Sequence, residues 1–373
     1  MSREFYYTER CLQCGICTNS CPYSYLPGSG FTPRNFIQKV RLGLIDFSKD
    51  DLWYCTNCNS CVNSCPFEIP FVDVMVDLRG LVYENGAGYI PESLRFAINA
   101  SVSHHNPWQE NEAARGDWFR NTSDVPKGLG ADGPVLLYAG CFASYDSHGK
   151  KTARAAAELL QRAGVAFEIL GEEEACCGDS VRRCGNTNGF EKLKNHNMSG
   201  FRRKGARRIY TLSPHCYDAI SRYYCGDSYG DISIQPYVTV LNEKIRDGTL
   251  KLTKPVNKKI TFHDPCFFAK HNDYTGMFRQ ILGAIPGVEF TEMEHNGSRG
   301  ICCGGGGGGA FLDRPKGERL ADVRLDEALK TGAELLVTAC PICVNMLESS
   351  ALGDPKYEAL RVIDLGELIV SCI

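Results

Sequence analysis

The chain has 373 residues, of which 43% are hydrophobic and 23% are charged, and it carries a formal net charge of −3. Such a chain is long enough for two or three domains with apolar cores of their own, and its composition excludes a disordered protein. Because the net charge is small, no global field attracts nucleic acid, and we expect no nucleic-acid partner.

Twenty cysteines need a chemical reason. Short secreted chains use cysteines as disulfides, but this chain is long, has no apolar signal segment after Met1, and groups its cysteines at metal-ligand spacings. We therefore expect a reducing, cytoplasmic compartment, with any membrane association made through a partner subunit. No run of about eighteen apolar residues occurs, so the sequence predicts no membrane-spanning segment of its own.

The N-terminal region contains the same cysteine run twice. Each run has the spacing C-x2-C-x2-C-x3-C-P, and the second run lies 44 residues after the first. In bacterial ferredoxins with this run, three cysteines bind one cluster and the fourth binds the other cluster. A zinc ribbon is a weaker interpretation, because it needs paired C-x2-C units instead of triplets. The sequence therefore predicts two [4Fe–4S] clusters, one on Cys11, Cys14, Cys17 and Cys65 and the other on Cys55, Cys58, Cys61 and Cys21.

The segment between the two runs predicts an amphipathic helix at Pro33–Leu44, because its apolar residues from Phe36 to Leu44 recur at helical spacing. This segment is longer than the loop of a compact two-strand ferredoxin. It resembles the helical ferredoxin modules of respiratory iron–sulfur subunits. We therefore expect an all-α helical ferredoxin module at residues 1–80.

Two apolar stretches after the second run, Val72–Val82 and Leu94–Ala100, predict helices. Residues 81–133 then form a helical connector, in which we expect Trp108 and Trp118 to pack between domains. The end of the connector contains glycine and proline, which marks a domain boundary.

From residue 134 onward, short apolar strands alternate with helices, which indicates an α/β fold with mainly parallel strands. Ligands in such folds come from loops at the carboxyl ends of the strands. The predicted strands are Val135–Ala139, Ala166–Leu170, Arg208–Leu212, Lys259–Phe262, Val288–Glu292 and Glu334–Ala339. The predicted helices are Lys151–Ala163, Phe190–Lys204, Gly276–Leu282 and Glu318–Lys330. The predicted fold class is therefore α+β multidomain, with an all-α module followed by duplicated α/β modules.

The duplication is visible in the cysteines, which recur at offsets of 125 to 127 residues. Cys340 has no counterpart, because Ser213 occupies the equivalent position. We expect an incomplete module at residues 134–250 and a complete one at residues 251–373. The first module has four thiols, Cys141, Cys176, Cys177 and Cys216, and the second has five, Cys266, Cys302, Cys303, Cys340 and Cys343.

In the second module, Cys302 and Cys303 are followed directly by six glycines, Gly304–Gly309. Thiolates select iron–sulfur clusters, zinc or Cu(I). Glycines lack the side chain that keeps backbone away from a bulky inorganic core, and their amides can point at its sulfides. We therefore expect this loop to be the cradle of a cofactor, with a flexible loop after two buried cysteines as the alternative.

The spacing of one cysteine, about 35 residues, Cys-Cys-Gly, about 36 residues and C-x2-C resembles that of the CCG cysteine-rich family. With the double ferredoxin run, nearly the whole chain is similar to the iron–sulfur subunits of heterodisulfide reductases and their relatives. Those relatives include a membrane-associated sulfite-reduction subunit and the iron–sulfur subunits of glycolate and glycerol-3-phosphate dehydrogenases. In heterodisulfide reductases, a five-cysteine motif holds a noncubane [4Fe–4S] cluster that cleaves a disulfide. The resemblance implies one noncubane cluster, in the second module; Ser213 argues against a second one and leaves metal binding by the first module open.

The resemblance implies an oxidoreductase subunit that reduces a disulfide, or a related sulfur substrate, with electrons from the two cubane clusters. No Gly-x-Gly-x-x-Gly follows a predicted strand, so the electrons must come from another chain. Candidate donors are a flavoprotein, a hydrogenase or formate dehydrogenase assembly, or a membrane cytochrome. The alternative is an electron relay from a flavin-dependent 2-hydroxy-acid or glycerol-3-phosphate dehydrogenase to quinone.

Four further residues lie near the predicted ligands. His263 and Lys270 flank Cys266, and a histidine that titrates near pH 6.5 suits proton delivery to a cleaved disulfide. A buried histidine at a strand end and a lysine at a helix start explain them equally well. Arg182 and Arg183 follow the first Cys-Cys-Gly and either bind an anionic substrate or offset cluster charge.

Three cysteines fit no repeat position. We expect them to be small buried thiols. They are Cys184, Cys225 and Cys372.

Overall fold

The computed structural model describes residues 7–86, 88–119, 134–224 and 232–373, so Cys225 lies outside the described residues. An all-α N-terminal module is followed by two α/β modules with separate parallel sheets. This arrangement confirms the predicted α+β fold class. None of the described helices is both long and apolar enough to cross a membrane.

The N-terminal module and connector contain short helices beside the cysteine loops and three longer helices. The first longer helix begins at Pro33 and is capped by Thr32, whose Oγ1 accepts a hydrogen bond from the Asn35 amide at 3.3 Å. It ends earlier than predicted, and Leu44 is 62% exposed instead of lying on its buried face. The helices are α1 (Ile16–Ser20), α2 (Pro33–Arg41), α3 (Ser60–Asn63), α4 (Phe71–Asn85) and α5 (Glu92–Ser103).

The connector brings aromatic rings against the α/β modules. Trp118 is buried and its ring lies 5.3 Å from the ring of Phe119. Trp108 packs edge-on against Phe142 of the first module, with ring centroids 4.9 Å apart, and lies 6.3 Å from the ring of Phe311 in the second module. The described part of the connector thus contacts both modules, while residues 120–133 lie outside the described ranges.

The first α/β module has a three-stranded parallel sheet of order β1-β2-β3. The predicted strand Ala166–Leu170 is wrong, because this segment makes only one bridge, from Glu168 to Leu136. The strands are β1 (Val135–Tyr138), β2 (Arg208–Thr211) and β3 (Ser233–Pro236); the helices are α6 (Gly140–Tyr145), α7 (Ser147–Arg162), α8 (Asp179–Arg183), α9 (Thr187–Arg203), α10 (Pro214–Tyr223) and α11 (Tyr237–Arg246).

The second module repeats this design with a four-stranded parallel sheet of order β5-β4-β6-β7. The predicted strand Val288–Glu292 shrinks to two residues. The strands are β4 (Lys259–His263), β5 (Glu289–Phe290), β6 (Leu335–Thr338) and β7 (Arg361–Asp364); the helices are α12 (Cys266–Ala269), α13 (Thr275–Gly283), α14 (Leu320–Lys330), α15 (Pro341–Ala351) and α16 (Leu365–Ser371).

In both sheets, cysteines follow the carboxyl ends of two neighbouring strands. Cys141 follows β1 and Cys216 follows β2, while Cys266 follows β4 and Cys340 follows β6. The strands are buried almost throughout, so their ends are held in place by the core of each module. Because neighbouring parallel strands end at the same edge, each module gathers its thiols on one side.

Arg79 of α4 joins the three modules at one buried point. Its guanidinium is fully buried and lies 5.1 Å from the ring centroid of Trp53. Its hydrogen bonds end on Asn57 Oδ1 and on backbone carbonyl oxygens of all three modules, at distances of 2.7 to 3.1 Å. The carbonyl acceptors belong to Leu52, Cys55, Arg183 and Gly307.

Candidate metal centres

The eight cysteines of the N-terminal module lie in two groups, and each group contains the residues of one predicted ligand set. The thiols whose charges raise the pKa of Cys17 are Cys11, Cys65 and Cys14. Those that raise the pKa of Cys61 are Cys55, Cys58 and Cys21, with a smaller effect from Cys17 of the other group.

Burial, followed by the charges of the neighbouring thiols, raises the pKa of Cys61. A thiol with a raised pKa deprotonates near neutral pH only when a bound cation takes the place of its proton. This property fits ligands of an iron–sulfur cluster. The two groups differ in exposure. Cys14 is exposed, and Cys11, Cys17 and Cys65 are partly buried.

The five cysteines of the second module also meet. Cys266 Sγ and Cys302 Sγ are 3.9 Å apart, and Cys303 Sγ lies 3.4 Å from Cys343 Sγ. Cys340 hydrogen-bonds Cys343. None of the five residues is more than 4% exposed. This is a dry cage of soft ligands, which is the donor set of an iron–sulfur centre.

The surroundings of the cage favour thiolates at Cys302, Cys303 and Cys340, whereas hydrogen bonds to neighbouring thiols and burial raise the pKa of Cys266 and Cys343. Burial raises the pKa of Cys340, but hydrogen bonds from Cys343 and His215 outweigh this effect and lower it to about 5. Hydrogen bonds from Cys302 and Cys343 hold the pKa of Cys303 well below its usual value, and the Gly305 amide adds to this. The Gly304 amide donates to Cys302 Sγ at 3.3 Å. Metal ligation needs deprotonated thiols, so the cage fits a metal cofactor.

Only the first two glycines of the run direct their amides at sulfurs of the cage, and the cofactor cradle itself stays a prediction. The glycines at positions 306 to 308 pack against other parts of the chain. A Cβ on Gly306 would lie 2.3 Å from Thr56 O, and one on Gly307 would lie 2.5 Å from Asn57 Oδ1. Gly307 and Gly308 also have positive φ angles of 60° and 88°. These glycines let the ferredoxin loop approach the cage closely.

This close approach brings two predicted metal ligands together. Cys58 of the ferredoxin module and Cys302 of the second module hydrogen-bond each other. They belong to one buried cluster that also contains Cys266 and Phe267. The second thiol group of the ferredoxin module is therefore in direct contact with the five-thiol cage.

Lys270 lies at the same junction. It is 6% exposed, and its Nζ donates to Ser60 Oγ at 2.5 Å and to Gly300 O at 2.6 Å. Its own carbonyl accepts a hydrogen bond from Asn63 Nδ2 at 2.9 Å. Lys270 therefore ties the second module to the ferredoxin loop and places a positive charge near Cys58.

His263 is a neutral residue inside the cage wall, which overturns the expectation that it titrates near pH 6.5. Its Nδ1 accepts a hydrogen bond from Arg324 Nε at 3.0 Å, so the ring proton lies on Nε2. Burial and the Arg324 charge lower its pKa to about 3. Among the described residues, Nε2 has no oxygen or nitrogen partner, and one ring nitrogen lies within 4.8 Å of the sulfurs of Cys303 and Cys343. His263 can donate a neutral N–H there, but it is no acid near neutral pH.

The four thiols of the first module form a chain of hydrogen bonds from Cys141 through Cys176 and Cys177 to Cys216. Arg115 of the connector donates to Cys141 Sγ at 3.5 Å and pairs with buried Glu174 at 3.0 Å. Three buried thiols and the partly buried Cys176, beside an arginine, are chemically suited to a metal.

Ser213 serves as a helix cap in this module. Its Oγ accepts a hydrogen bond from the His215 amide at 3.2 Å at the start of α10. The hydroxyl therefore stabilises the end of the helix that carries Cys216.

The two arginines after the first Cys-Cys-Gly already have partners. Arg183 is buried, with Nε 2.7 Å from Asp179 Oδ1 and Nη2 2.8 Å from Asp218 Oδ2. The guanidinium of Arg182 lies 3.8 Å from the ring centroid of Tyr223. Binding of an anionic substrate by Arg183 is thus a wrong expectation, because two carboxylates occupy its donors.

The unassigned cysteines are as expected where the structure describes them. Cys184 is buried and donates to Gly307 O at 3.6 Å, and Cys372 is buried and donates to Leu368 O at 3.0 Å. Neither belongs to a thiol group.

Sequence reasoning missed His215, which lies between the two modules. Burial lowers the pKa of His215, but hydrogen bonds to Asp179 and Cys340 outweigh this effect and raise it to about 10. The available signal was a break in the repeat, since position 342, which corresponds to His215, is isoleucine.

A cavity of about 40 Å³ lies between the modules. Its walls include all four thiols of the first module and, from the second module, Phe311, Pro341 and Ile342. His215 and Ser213 line it as well. The cavity therefore reaches the helix that begins beside Cys340.

Comparison with known proteins identifies each module. The 4Fe-4S dicluster domain matches residues 7–69, and the CCG cysteine-rich domain matches residues 135–221 and again residues 260–348. These matches confirm the predicted ferredoxin module and the CCG duplication.

Three relatives show the range of similar proteins. The EtfAB:quinone oxidoreductase of Syntrophomonas wolfei is 33% identical over 86% of this chain and 46% of its own length. The probable iron–sulfur-binding oxidoreductase FadF of Bacillus subtilis is 31% identical over 87% of this chain and 47% of its own length. The chain spans about half the length of these two relatives.

The third relative is a subunit of the dihydromethanophenazine:CoB–CoM heterodisulfide reductase of Methanosarcina barkeri, which is 28% identical over 98% of this chain and 94% of its own length. Similarity of this extent confirms the predicted resemblance to heterodisulfide reductase iron–sulfur subunits. The chain therefore carries a 4Fe-4S dicluster domain followed by two CCG cysteine-rich domains, and over nearly its whole length it is similar to a heterodisulfide reductase iron–sulfur subunit.

Proposed function

We propose that this chain is the subunit of a larger complex that reduces a disulfide, or a related sulfur substrate, at the five-thiol cage of the second module. The reaction takes two electrons and two protons and converts one disulfide into two thiols. The observation that carries the proposal is the contact between Cys58 and Cys302, which joins the ferredoxin thiols to the cage. A separate structural metal site would have no need for this contact.

The residues present fit two cubane clusters in the ferredoxin module and one noncubane [4Fe–4S] cluster in the cage. A noncubane cluster, when bound, supplies an iron that a substrate sulfur can approach. The chain itself excludes water from the five cysteines and directs the Gly304 and Gly305 amides at their sulfurs. His263 offers a neutral N–H beside Cys303 and Cys343, which suits the stabilisation of a sulfur anion.

Electrons enter this subunit from a partner, which we propose to be a flavoprotein, a hydrogenase or formate dehydrogenase assembly, or a membrane cytochrome. The first thiol group suits the entry point, because Cys14 is exposed. The second group is mostly buried and touches the cage. Exposure to solvent thus decreases from the first thiol group, through the second, to the cage where we propose that reduction occurs.

The second candidate function is an electron relay between a flavin-dependent dehydrogenase and quinone. It is favoured by the relative named EtfAB:quinone oxidoreductase, which is 33% identical over 86% of this chain. In this function the cage passes electrons without binding a substrate sulfur.

Electron paramagnetic resonance of the oxidised protein, recorded with and without coenzyme M or another thiol, separates the two functions. We expect a new signal that appears only with thiol and is absent from C303S. C372S is the matched control, because Cys372 is a buried thiol outside every thiol group, and it should retain the signal. Spectra that do not respond to any thiol would reject disulfide reduction and favour the relay.

A further inference from the structure

His215 belongs to the first α/β module, but its imidazole has partners in both modules. The residue is 5% exposed, and its Nδ1 lies 2.8 Å from Asp179 Oδ2. The same ring hydrogen-bonds Cys340 of the second module. Because Asp179 occupies Nδ1, Nε2 is the ring nitrogen that remains for the sulfur.

The carboxylate that holds His215 is itself held in place. Asp179 Oδ1 accepts from Arg183 Nε at 2.7 Å, and Arg183 Nη2 donates to Asp218 Oδ2 at 2.8 Å. These three residues are at most 4% exposed. The first module therefore fixes the direction of the imidazole through a buried network of its own.

The second module fixes the plane of the ring. The imidazole lies against Phe267, with ring centroids 3.9 Å apart and an interplanar angle of 33°. Phe267 directly follows Cys266, and the guanidinium of Arg183 lies 4.5 Å from its ring centroid. His215 is thus packed between the network of one module and the cage of the other.

The repeat shows what has changed at this position. The first module reads Ser213-Pro214-His215-Cys216, and the second reads Cys340-Pro341-Ile342-Cys343. The first module lacks the fifth thiol and has an imidazole where the second has an apolar side chain. Ser213 caps the helix that carries this imidazole, through a hydrogen bond to the His215 amide.

We propose that His215 is a positioning residue that donates a hydrogen bond across the module interface to the sulfur of Cys340 and so sets the potential of the centre held by the cage. An N–H directed at a ligating sulfur withdraws charge from it and stabilises the reduced, more negative state. The incomplete first module thereby acts on the chemistry of the complete one. The inference rests on the proposed function only in requiring a redox centre in the cage.

A purely structural role makes a different prediction. A histidine that only fills space between the modules can be replaced by an apolar residue of similar size without altering the electronic state of a neighbouring sulfur. The two roles therefore differ in the reduction potential and not in the stability of the protein.

The test is a redox titration of the holoprotein, followed by electron paramagnetic resonance, for wild type, H215L and H215Q. Leucine removes the donor, whereas the glutamine amide restores an N–H near the position of Nε2. H104L is the control, because His104 is exposed on the connector. The two ferredoxin signals in the same sample serve as internal references.

We expect H215L to shift the cage centre to a more negative potential, H215Q to return part of the shift, and the ferredoxin signals and H104L to be unchanged. An unshifted cage centre in H215L would overturn the inference, as would an equal shift of the ferredoxin signals. If H215L fails to fold, D179N takes its place in the titration, because it weakens the hydrogen bond to His215 Nδ1. The potential of the cage centre must then also shift to a more negative value. H215L could shift the potential of the cage centre while the spectra of the protein do not respond to any thiol. This result would support the inference and reject disulfide reduction.

Discussion

Arg79 donates hydrogen bonds to carbonyl oxygens of three modules, and its loss would remove this donor from Leu52, Cys55 and Arg183 and leave Gly307 O with only the Cys184 thiol. We expect R79A to lower the free energy of unfolding by at least about 3 kcal/mol, because hydrogen bonds to a charged group are each worth about 1.5 to 3 kcal/mol. R79K should also destabilise, since an ammonium cannot reproduce the planar set of donors.

Chemical denaturation measures these differences. R95K is the control, because Arg95 is exposed on α5 and makes one hydrogen bond to Ile90 O at 3.1 Å. It should remain within about 0.5 kcal/mol of wild type. An R79A protein as stable as R95K would contradict the joining role of Arg79.

At the residue scale, sequence reasoning works where the ligands are local. The three-residue spacing of Cys55, Cys58 and Cys61 depends only on neighbouring backbone, so the sequence indicates a cluster loop directly. Arg79 and His215 act through partners in other modules. Their roles depend on the tertiary arrangement, which no spacing in the sequence reports.

At the element scale, the strands with apolar runs were predictable and the polar or short ones were not. β3 contains Ser233 and Gln235, which are exposed, so no hydrophobic run marks it. The segment 166–170 has the apolar pattern of a strand, yet only Glu168 forms a bridge to β1. Whether a segment pairs depends on the edge of the sheet that it meets, and local propensity does not determine that.

His148 links helices of the two α/β modules. Its Nδ1 lies 2.7 Å from Glu348 on α15 and its Nε2 lies 2.7 Å from Glu367 on α16. These hydrogen bonds raise the pKa of His148 from 6.5 to about 10. Because the folded pKa is raised, the stabilisation is complete below about pH 6.5 and is lost as the pH rises towards 10.

We therefore expect H148Q to be less stable than wild type by about 2 kcal/mol at pH 6, with a difference that vanishes near pH 10. Denaturation of both proteins across this pH range measures the difference in their free energies of unfolding. Because the other titrating groups are the same in both proteins, their pH dependence cancels in this difference. K151Q, an exposed change on the same helix α7, should follow wild type. A difference that stays constant with pH would show that the ion pairs do not account for the effect.

At the scale of the whole molecule, the three proposed clusters of four irons each would give about twelve irons per chain. We expect C303S to retain about eight, because it breaks the cage and leaves the ferredoxin module intact. C372S should retain the full number. Iron and zinc analysis of the purified proteins gives these values. A wild-type content near eight irons would show that the cage holds no cluster.

The first module is included in the same measurement. Its four thiols can take a metal beyond the predicted twelve irons, and C177S would then lose that extra metal while keeping the three clusters. If C177S has the metal content of wild type, Cys141, Cys176, Cys177 and Cys216 form a metal-free group.

The exposure of Cys14 has a consequence for survival in air. Oxidants reach iron–sulfur clusters through solvent, and the thiols of the cage and of the second ferredoxin group are largely shielded, whereas Cys14 lies at the surface. We expect the outer cluster to be lost first when oxygen enters. On the proposed path, its loss would interrupt electron entry while the clusters proposed for the buried thiol groups stay intact, so that repair of a single peripheral cluster would restore the protein.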